Sequence, residues 1–219
     1  MTDFFREVDE EVRRDRAVKF LQRFQIPLIG LAVLVVAATA GWRIYDTWRT
    51  NQAETAGGAY EAADQLARDN KSAEAEAAFQ KIVDSGPKGY ALLARFRVAA
   101  TTAATDPEAA VKDYDALAAD ATIDPTLQDI ARYRAALLRL DKADPKEMDE
   151  RLAPLTRTSN PFRNSARELL ALAALKANDF TAAGNWLDMI VADPQTPDDL
   201  RQRAETDLGI VAANQPASK

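Results

Sequence analysis

The sequence predicts an all-α chain: one N-terminal transmembrane helix, then an α-solenoid of about four helix pairs and a C-terminal capping helix. Three observations predict it. Nineteen consecutive uncharged residues run from Phe24 to Trp42. Prolines and bulky apolar residues recur at a spacing of 34–38 residues after that run. Between these landmarks, apolar residues fall at helical spacing, with no alternating strand runs.

The uncharged run, FQIPLIGLAVLVVAATAGW, lies between Arg23 and Arg43. At 1.5 Å per residue it is about 28 Å long, close to the roughly 30 Å hydrocarbon core of a bilayer. Pro27 is expected in the first turn of this helix, where its missing N–H costs nothing. Ala38-Thr39-Ala40 has the small-x-small form of a signal-peptide cleavage site. A retained anchor is the preferred reading, because the preceding segment is long and mixed in charge and the helical pattern continues past Trp42.

Orientation follows from the basic residues beside the span. Arg6, Arg13, Arg14, Arg16, Lys19 and Arg23 precede it, whereas only Arg43 and Arg49 lie within twenty residues beyond it. Lys and Arg favour the cytoplasmic side, so the N-terminus is expected there and the C-terminal domain is expected in the periplasm of a bacterial inner membrane. Trp42, Tyr45 and Trp48, three apart on one helical face, are candidates for the aromatic belt at the far interface. Ala37 and Gly41 have the small-xxx-small spacing that lets helices pack closely in lipid, which would allow a homo-oligomer.

The expected organisation is a cytoplasmic segment over 1–23, the span over 24–45 and a juxtamembrane helix or hinge over 46–58. The periplasmic repeat domain follows over 59–213, with a disordered tail over 214–219. Residues 1–23 carry six basic and six acidic side chains, so the formal charge of −6 resides in the remainder. An acidic domain without a basic stripe is a poor nucleic-acid binder.

Turn prolines recur at Pro87, Pro125, Pro161 and Pro197, and bulky residues at Phe79, Tyr114, Leu152 and Trp186. These divide the chain into four predicted pairs. YEAADQLARD pairs with SAEAEAAFQKIVDSGP, and GYALLARFRVAATTAAT with DPEAAVKDYDALAAD. TLQDIARYRAALLRLDK pairs with DPKEMDERLAPLTRT, and FRNSARELLALAALKAND with FTAAGNWLDMIVADP. The helix near 198–212 caps the array. Asp106-Pro107 and Asp144-Pro145 each place an N-cap acceptor before a proline at the first helical position. Each pair has an apolar face that only stacking can bury.

A helix-turn-helix period of this length resembles the tetratricopeptide class, although the W-x₂-L-G-x₂-Y signature is missing and the repeats are divergent. The blocks DRAVKFLQRF, Gly41-Trp42, AGGAYEAADQLA and GYALLARFRVA, in this order around one span, resemble the YfgM-like family over nearly the whole chain. The departures are the longer N-terminal TDFFREVDEEVRR and the last repeat. The resemblance implies an ancillary subunit of the bacterial SecYEG translocon with a tetratricopeptide-like periplasmic domain. Its partners would then be the translocon and periplasmic or membrane-anchored chaperones, or emerging secreted chains.

With no Cys and no His, the chain excludes disulfides, Cys/His zinc sites, thiol nucleophiles and His-dependent catalysis. Ser85-Gly-Pro-Lys88 matches S-x-x-K, but its glycines and proline read as an inter-repeat turn. Asp113/Asp115, Asp149/Glu150 and Asp198/Asp199 lack metal-loop spacing. Gly57-Gly58 is expected to be a hinge. No catalytic, metal or cofactor site is expected. Solenoids bind partners on the face lined by the first helix of each pair. There the sequence offers Arg95, Arg97, Arg132, Arg134, Arg163 and Arg167 as candidate partner-binding residues. The competing reading is that they pair with acids of neighbouring helices. The function expected is a non-catalytic, membrane-anchored protein-binding subunit of the Sec translocon. The alternative is a scaffold or regulatory subunit of another envelope complex, in cell division or cytochrome assembly.

Overall fold

A computed structural model describes the backbone of residues 2–214 and the side chains of 26–214. The side chains of Phe4, Phe5, Val8 and Val12, which the sequence offers as a short amphipathic stripe with a disordered segment as the alternative, and the tail beyond Asn214 lie outside these described residues. Within them the protein is helical throughout and contains no strand.

The first helix, α1, is unbroken from Thr2 to Arg68. Pro27 therefore sits inside a helix and not in a first turn, as the sequence suggested. Its ring removes one internal hydrogen bond, a loss that apolar spans accommodate. Gly57 and Gly58, expected at a hinge, also lie within continuous helix. From Ile26 to Thr50 every residue is exposed, and the most apolar stretch has mean hydropathy 1.8. A core helix of a soluble domain would bury such a face; this one is covered by nothing among the described residues.

The chain divides into two compact units, Met1–Thr55 and Ala56–Lys219. The second contains the end of α1 and eight further helices: α2 (Ser72–Ser85), α3 (Lys88–Thr102), α4 (Pro107–Ala119), α5 (Pro125–Arg139), α6 (Pro145–Leu152), α7 (Arg163–Lys176), α8 (Phe180–Ala192) and α9 (Asp198–Asn214). Consecutive helices pack on one another, and α7 also touches both α5 and α9.

Four apolar clusters hold this unit together, each shared by one helix pair and the helix that follows. Phe79 and Ile82 of α2 pack with Ala63 of α1 and Ala94 of α3. Val111, Tyr114 and Leu117 of α4 meet Ala99 of α3 and Ala131 of α5. Met148 and Leu152 of α6 meet Ala136 of α5 and Leu169 of α7. Leu187 and Ile190 of α8 meet Ala171 of α7 and Leu200 of α9. Alanine on the facing helices lets backbones approach while the large residue of each second helix fills the gap. Every pair is thus completed by its neighbour, which is the energetic basis of a solenoid.

Capping follows the expected chemistry. The Asp106 carboxylate accepts from the N–H groups of Glu108 and Ala109, and Asp144 accepts from Glu147 N–H. Asp124 and Asp179 cap α5 and α8 in the same way. Asn70 and Asn178, 108 residues apart, end the first helices of pairs one and four in the left-handed region, with φ of 60° and 59°. Lys71 N–H returns to Leu66 O and Asp179 N–H to Ala174 O, closing two Schellman turns at the same point of the repeat.

Pair three departs from the pattern. The sequence suggested a second helix reaching Thr158, but α6 ends at Leu152, giving 8 residues against 13 in α4 and α8. Pro154 has no N–H for the helix to use, and its ring collides with the preceding turn. The chain continues in turns, with Leu155 N–H donating to Leu152 O and the Leu155 side chain fully buried.

Candidate protein-binding surface

The first helices of the pairs lie side by side, and ion pairs run directly between them. Arg97 on α3 reaches Asp64 on α1, with its guanidinium 5.4 Å from the centre of the Phe79 ring. Arg203 on α9 donates to Glu168 on α7 at 2.7 Å.

Five of the six arginines suggested by the sequence are engaged within the chain. Arg95 donates to the Asp120 carboxylate at 2.8 Å. Arg132 bonds Asp129 at 2.8 Å and the Ala118 carbonyl at 3.0 Å. Arg163 grips Asp193 through two nitrogens, at 2.6 and 3.0 Å, and bonds Gln195 at 2.7 Å. Arg167 donates to Asn164 at 2.8 Å and to the Met189 carbonyl at 3.2 Å. With Arg97 on Asp64, only Arg134 of the six is exposed and makes no hydrogen bond or ion pair among the described residues. The first helices also expose Leu93 on α3 and Leu137 on α5, the latter three residues from Arg134 (48% and 43% accessible).

The engaged arginines share a purpose that spacing alone hid. Asp120 and Asp193 are the C-caps of α4 and α8. Each is held by an arginine from the first helix of its own pair, while the next pair's first helix binds the same end from the other side. Gln128 donates to the Asp120 carbonyl, and Arg201 to the carbonyls of Val191 and Asp193. Cations and donors at a helix C-terminus satisfy its orphan carbonyls and meet the negative end of the helix dipole. These residues therefore join consecutive pairs. The repeat interval was visible in the sequence; the partners, 25 and 30 residues away for Arg95 and Arg163 and 8 to 10 for Gln128 and Arg201, were not.

Electrostatics agree with the geometry. Thr122 and Arg95 hydrogen bonds lower the Asp120 carboxyl to about 2. Arg163, the Gln195 N–H and Asn164 hold Asp193 well below the usual carboxylate range. Glu147 on α6 is lowered to about 2 by Arg139 and Arg151. Arg139 also reaches Glu108, and Arg151 reaches Asp115 on α4 at 2.8 Å. The acidic neighbours noted in the sequence are used in this way or solvated. Asp199 meets Arg203, Glu150 lies 3.9 Å from Lys146, and Asp113, Asp149 and Asp198 face solvent. Ser85 donates to the Lys81 carbonyl at the end of α2, as a turn residue would.

In the N-terminal unit, Trp42, Tyr45 and Trp48 are all exposed, the rings of the last two 6.3 Å apart. Ala37 and Gly41 are exposed too, and a side chain at Gly41 would meet nothing within 4 Å.

Two cavities open beside the shortened α6. One of about 450 Å³ lies between the start of α5 and the 154–161 segment, and one of about 280 Å³ lies between α4 and α6. Arg132 and Pro154 line both.

Stacked helix pairs, with paired charges at the joints and an uncommitted arginine beside the exposed Leu137, define a repeat module of the kind that binds other proteins. The sequence profile of the tetratricopeptide repeat-like domain matches residues 19–183, and the chain belongs to that family. Such domains are generally non-catalytic interaction modules. No curated protein and no solved structure matches the chain.

Proposed function

We propose that this chain is a membrane-anchored, non-catalytic protein-binding subunit of the bacterial Sec translocon, as the YfgM-like resemblance implies. The observation that carries the reading is the wholly exposed apolar stretch of α1 ahead of a tetratricopeptide-like unit. The family match begins at Lys19, before the apolar run, which supports reading that run as part of the family pattern. In this reading residues 1–23 are cytoplasmic, 24–45 span the inner membrane, 46–58 connect, and 59–213 form the periplasmic domain.

The partner is a translocon subunit, an envelope chaperone or an emerging secreted chain. It docks on the first helices around Leu93, Arg134 and Leu137, where apolar area is exposed and one guanidinium is uncommitted. The anchor supplies the mechanism: tethering beside the channel raises the local concentration of a weak binding site and turns encounters into near-intramolecular events. No energy source is needed.

The test is photocrosslinking in living cells from crosslinkers placed at Leu93 and Leu137 of the full chain, with mass spectrometry of what is captured. Channel subunits or an envelope chaperone are expected. Capture of cell-division or cytochrome-assembly proteins would replace the translocon with another envelope complex. Capture of nothing specific would overturn the binding role.

A further inference from the structure

The joint at the end of pair three is built with the opposite charge from the joints of pairs two and four, and it is open. Four residues before Pro197 stands Asp193, and five before Pro125 stands Asp120. Both are C-cap aspartates closed by arginines of their own pair, Arg163 and Arg95. Four residues before Pro161 the sequence has Arg157. Its side chain is exposed and makes no hydrogen bond or ion pair among the described residues.

No carboxylate lining the gap is left free for Arg157. Asp129, the carboxylate that lines the gap, already accepts from Arg132 at 2.8 Å and from Asn160 at 2.7 Å. The space between is the cavity of about 450 Å³, lined by Thr126 and Asp129 on α5 and by Pro154 and Arg157 on the opposite wall. That volume is in the range of ligand sites. The walls are fixed before anything binds. Leu155 anchors the segment in the core, and Asn160 ties it to α5 while accepting from Phe162 N–H at 2.8 Å. Little ordering cost is left for an occupant to meet.

We propose that this open joint is a second docking site, which takes an acidic side chain from an extended segment of a partner polypeptide. The inference rests on the reading of the chain as a protein-binding subunit but uses a different surface from the first-helix face. The partner's carboxylate does for Arg157 what Asp120 and Asp193 do for Arg95 and Arg163: it supplies the acceptor of a charge-assisted, fork-shaped pair. The remaining charges of the cavity are already neutralised in pairs, so Arg157 alone sets the sign of the ligand.

The experiment measures fluorescence anisotropy of labelled Gly/Ser peptides carrying paired aspartates, titrated with the full chain in detergent micelles. The same peptides with asparagine, and free N-acetyl-aspartate as competitor, are run in parallel. The aspartate peptides are expected to bind about tenfold or more tightly than the asparagine ones, the worth of a charge-assisted hydrogen bond. Arg157→Glu should abolish that preference, Arg157→Lys should keep part of it, and Thr126→Trp should block it by filling the cavity. Lys81→Glu, on exposed α2 surface, should leave it intact. Equal binding of both peptides, unchanged binding by Arg157→Glu, or competition by free N-acetyl-aspartate equal to the peptide's own affinity would overturn the site. Overturning it while crosslinks from Leu93 persist would leave the proposed function standing.

Discussion

At Gly86 a Cβ would lie 2.5 Å from the Ile82 carbonyl oxygen and 3.0 Å from the Ile82 side chain. The backbone there is extended, with φ −78°, so the demand is for space and not for a left-handed turn. Gly86→Ala must push residue 86 off the last turn of α2, where its N–H bonds Ile82 O at 2.8 Å, and urea denaturation should report a loss of about 1–3 kcal/mol, as overpacking does. Glu147 carries a second prediction at this scale. Its folded carboxyl titrates near 2, against an ordinary value of 4.5, because Arg139 and Arg151 hold it ionised. A depressed carboxyl contributes stability that is fully present above its unfolded value and is lost as pH falls through the folded one. The stability gap between the wild type and Glu147→Gln should therefore be widest above pH 4.5 and should narrow as pH falls toward 2. A gap independent of pH would contradict the pairing. At this scale the sequence was only half legible. It displayed the arginines, but an acceptor such as Asp193, at the far end of α8, is brought to Arg163 only by folding, so spacing could not distinguish a joint residue such as Arg163 from a free one such as Arg134.

Among the elements, helix ends decide the architecture. Aspartates before Pro107, Pro125 and Pro145 start α4, α5 and α6; the first and last of these starts were legible because the cap chemistry is local, whereas Pro125 was read only as a turn proline. The end of α6 was not read correctly. DERLAPLTRT keeps helical spacing past Pro154, whereas the missing N–H stops the helix and Leu155 reaches the core from a turn. Pro27 shows the converse, a proline carried inside a long helix where a start was expected. The two classes of arginine predict different behaviour of elements. Arg163→Ala releases the C-cap of α8 and should lower the Tm of the domain more than the same change at any other of the six. Arg134 has no partner among the described residues, so Arg134→Ala should leave the Tm unchanged while weakening crosslinking from Leu137. Thermal unfolding followed by circular dichroism separates them. Equal destabilisation by both would mean that the joint at Asp193 contributes nothing.

For the whole molecule, the span and the period were legible because both are written in residue type alone: nineteen residues without charge, and prolines 36 to 38 apart. Composition also gave the all-helical class, through alanine-rich helices whose apolar faces need a neighbour. Sidedness is a different matter, since it rests on basic residues flanking the span. The claim that everything else depends on is that α1 holds the repeat unit on the far side of a membrane. The chain has no cysteine, so a single introduced thiol reports its own location without background. The deciding measurement is labelling of Ala73→Cys, on exposed α2, and of Thr2→Cys with a membrane-impermeant maleimide in intact bacterial spheroplasts and again after lysis. The account predicts that Ala73→Cys reacts before lysis and Thr2→Cys only after it. The reverse order, or recovery of both labelled chains in the soluble fraction, would contradict it.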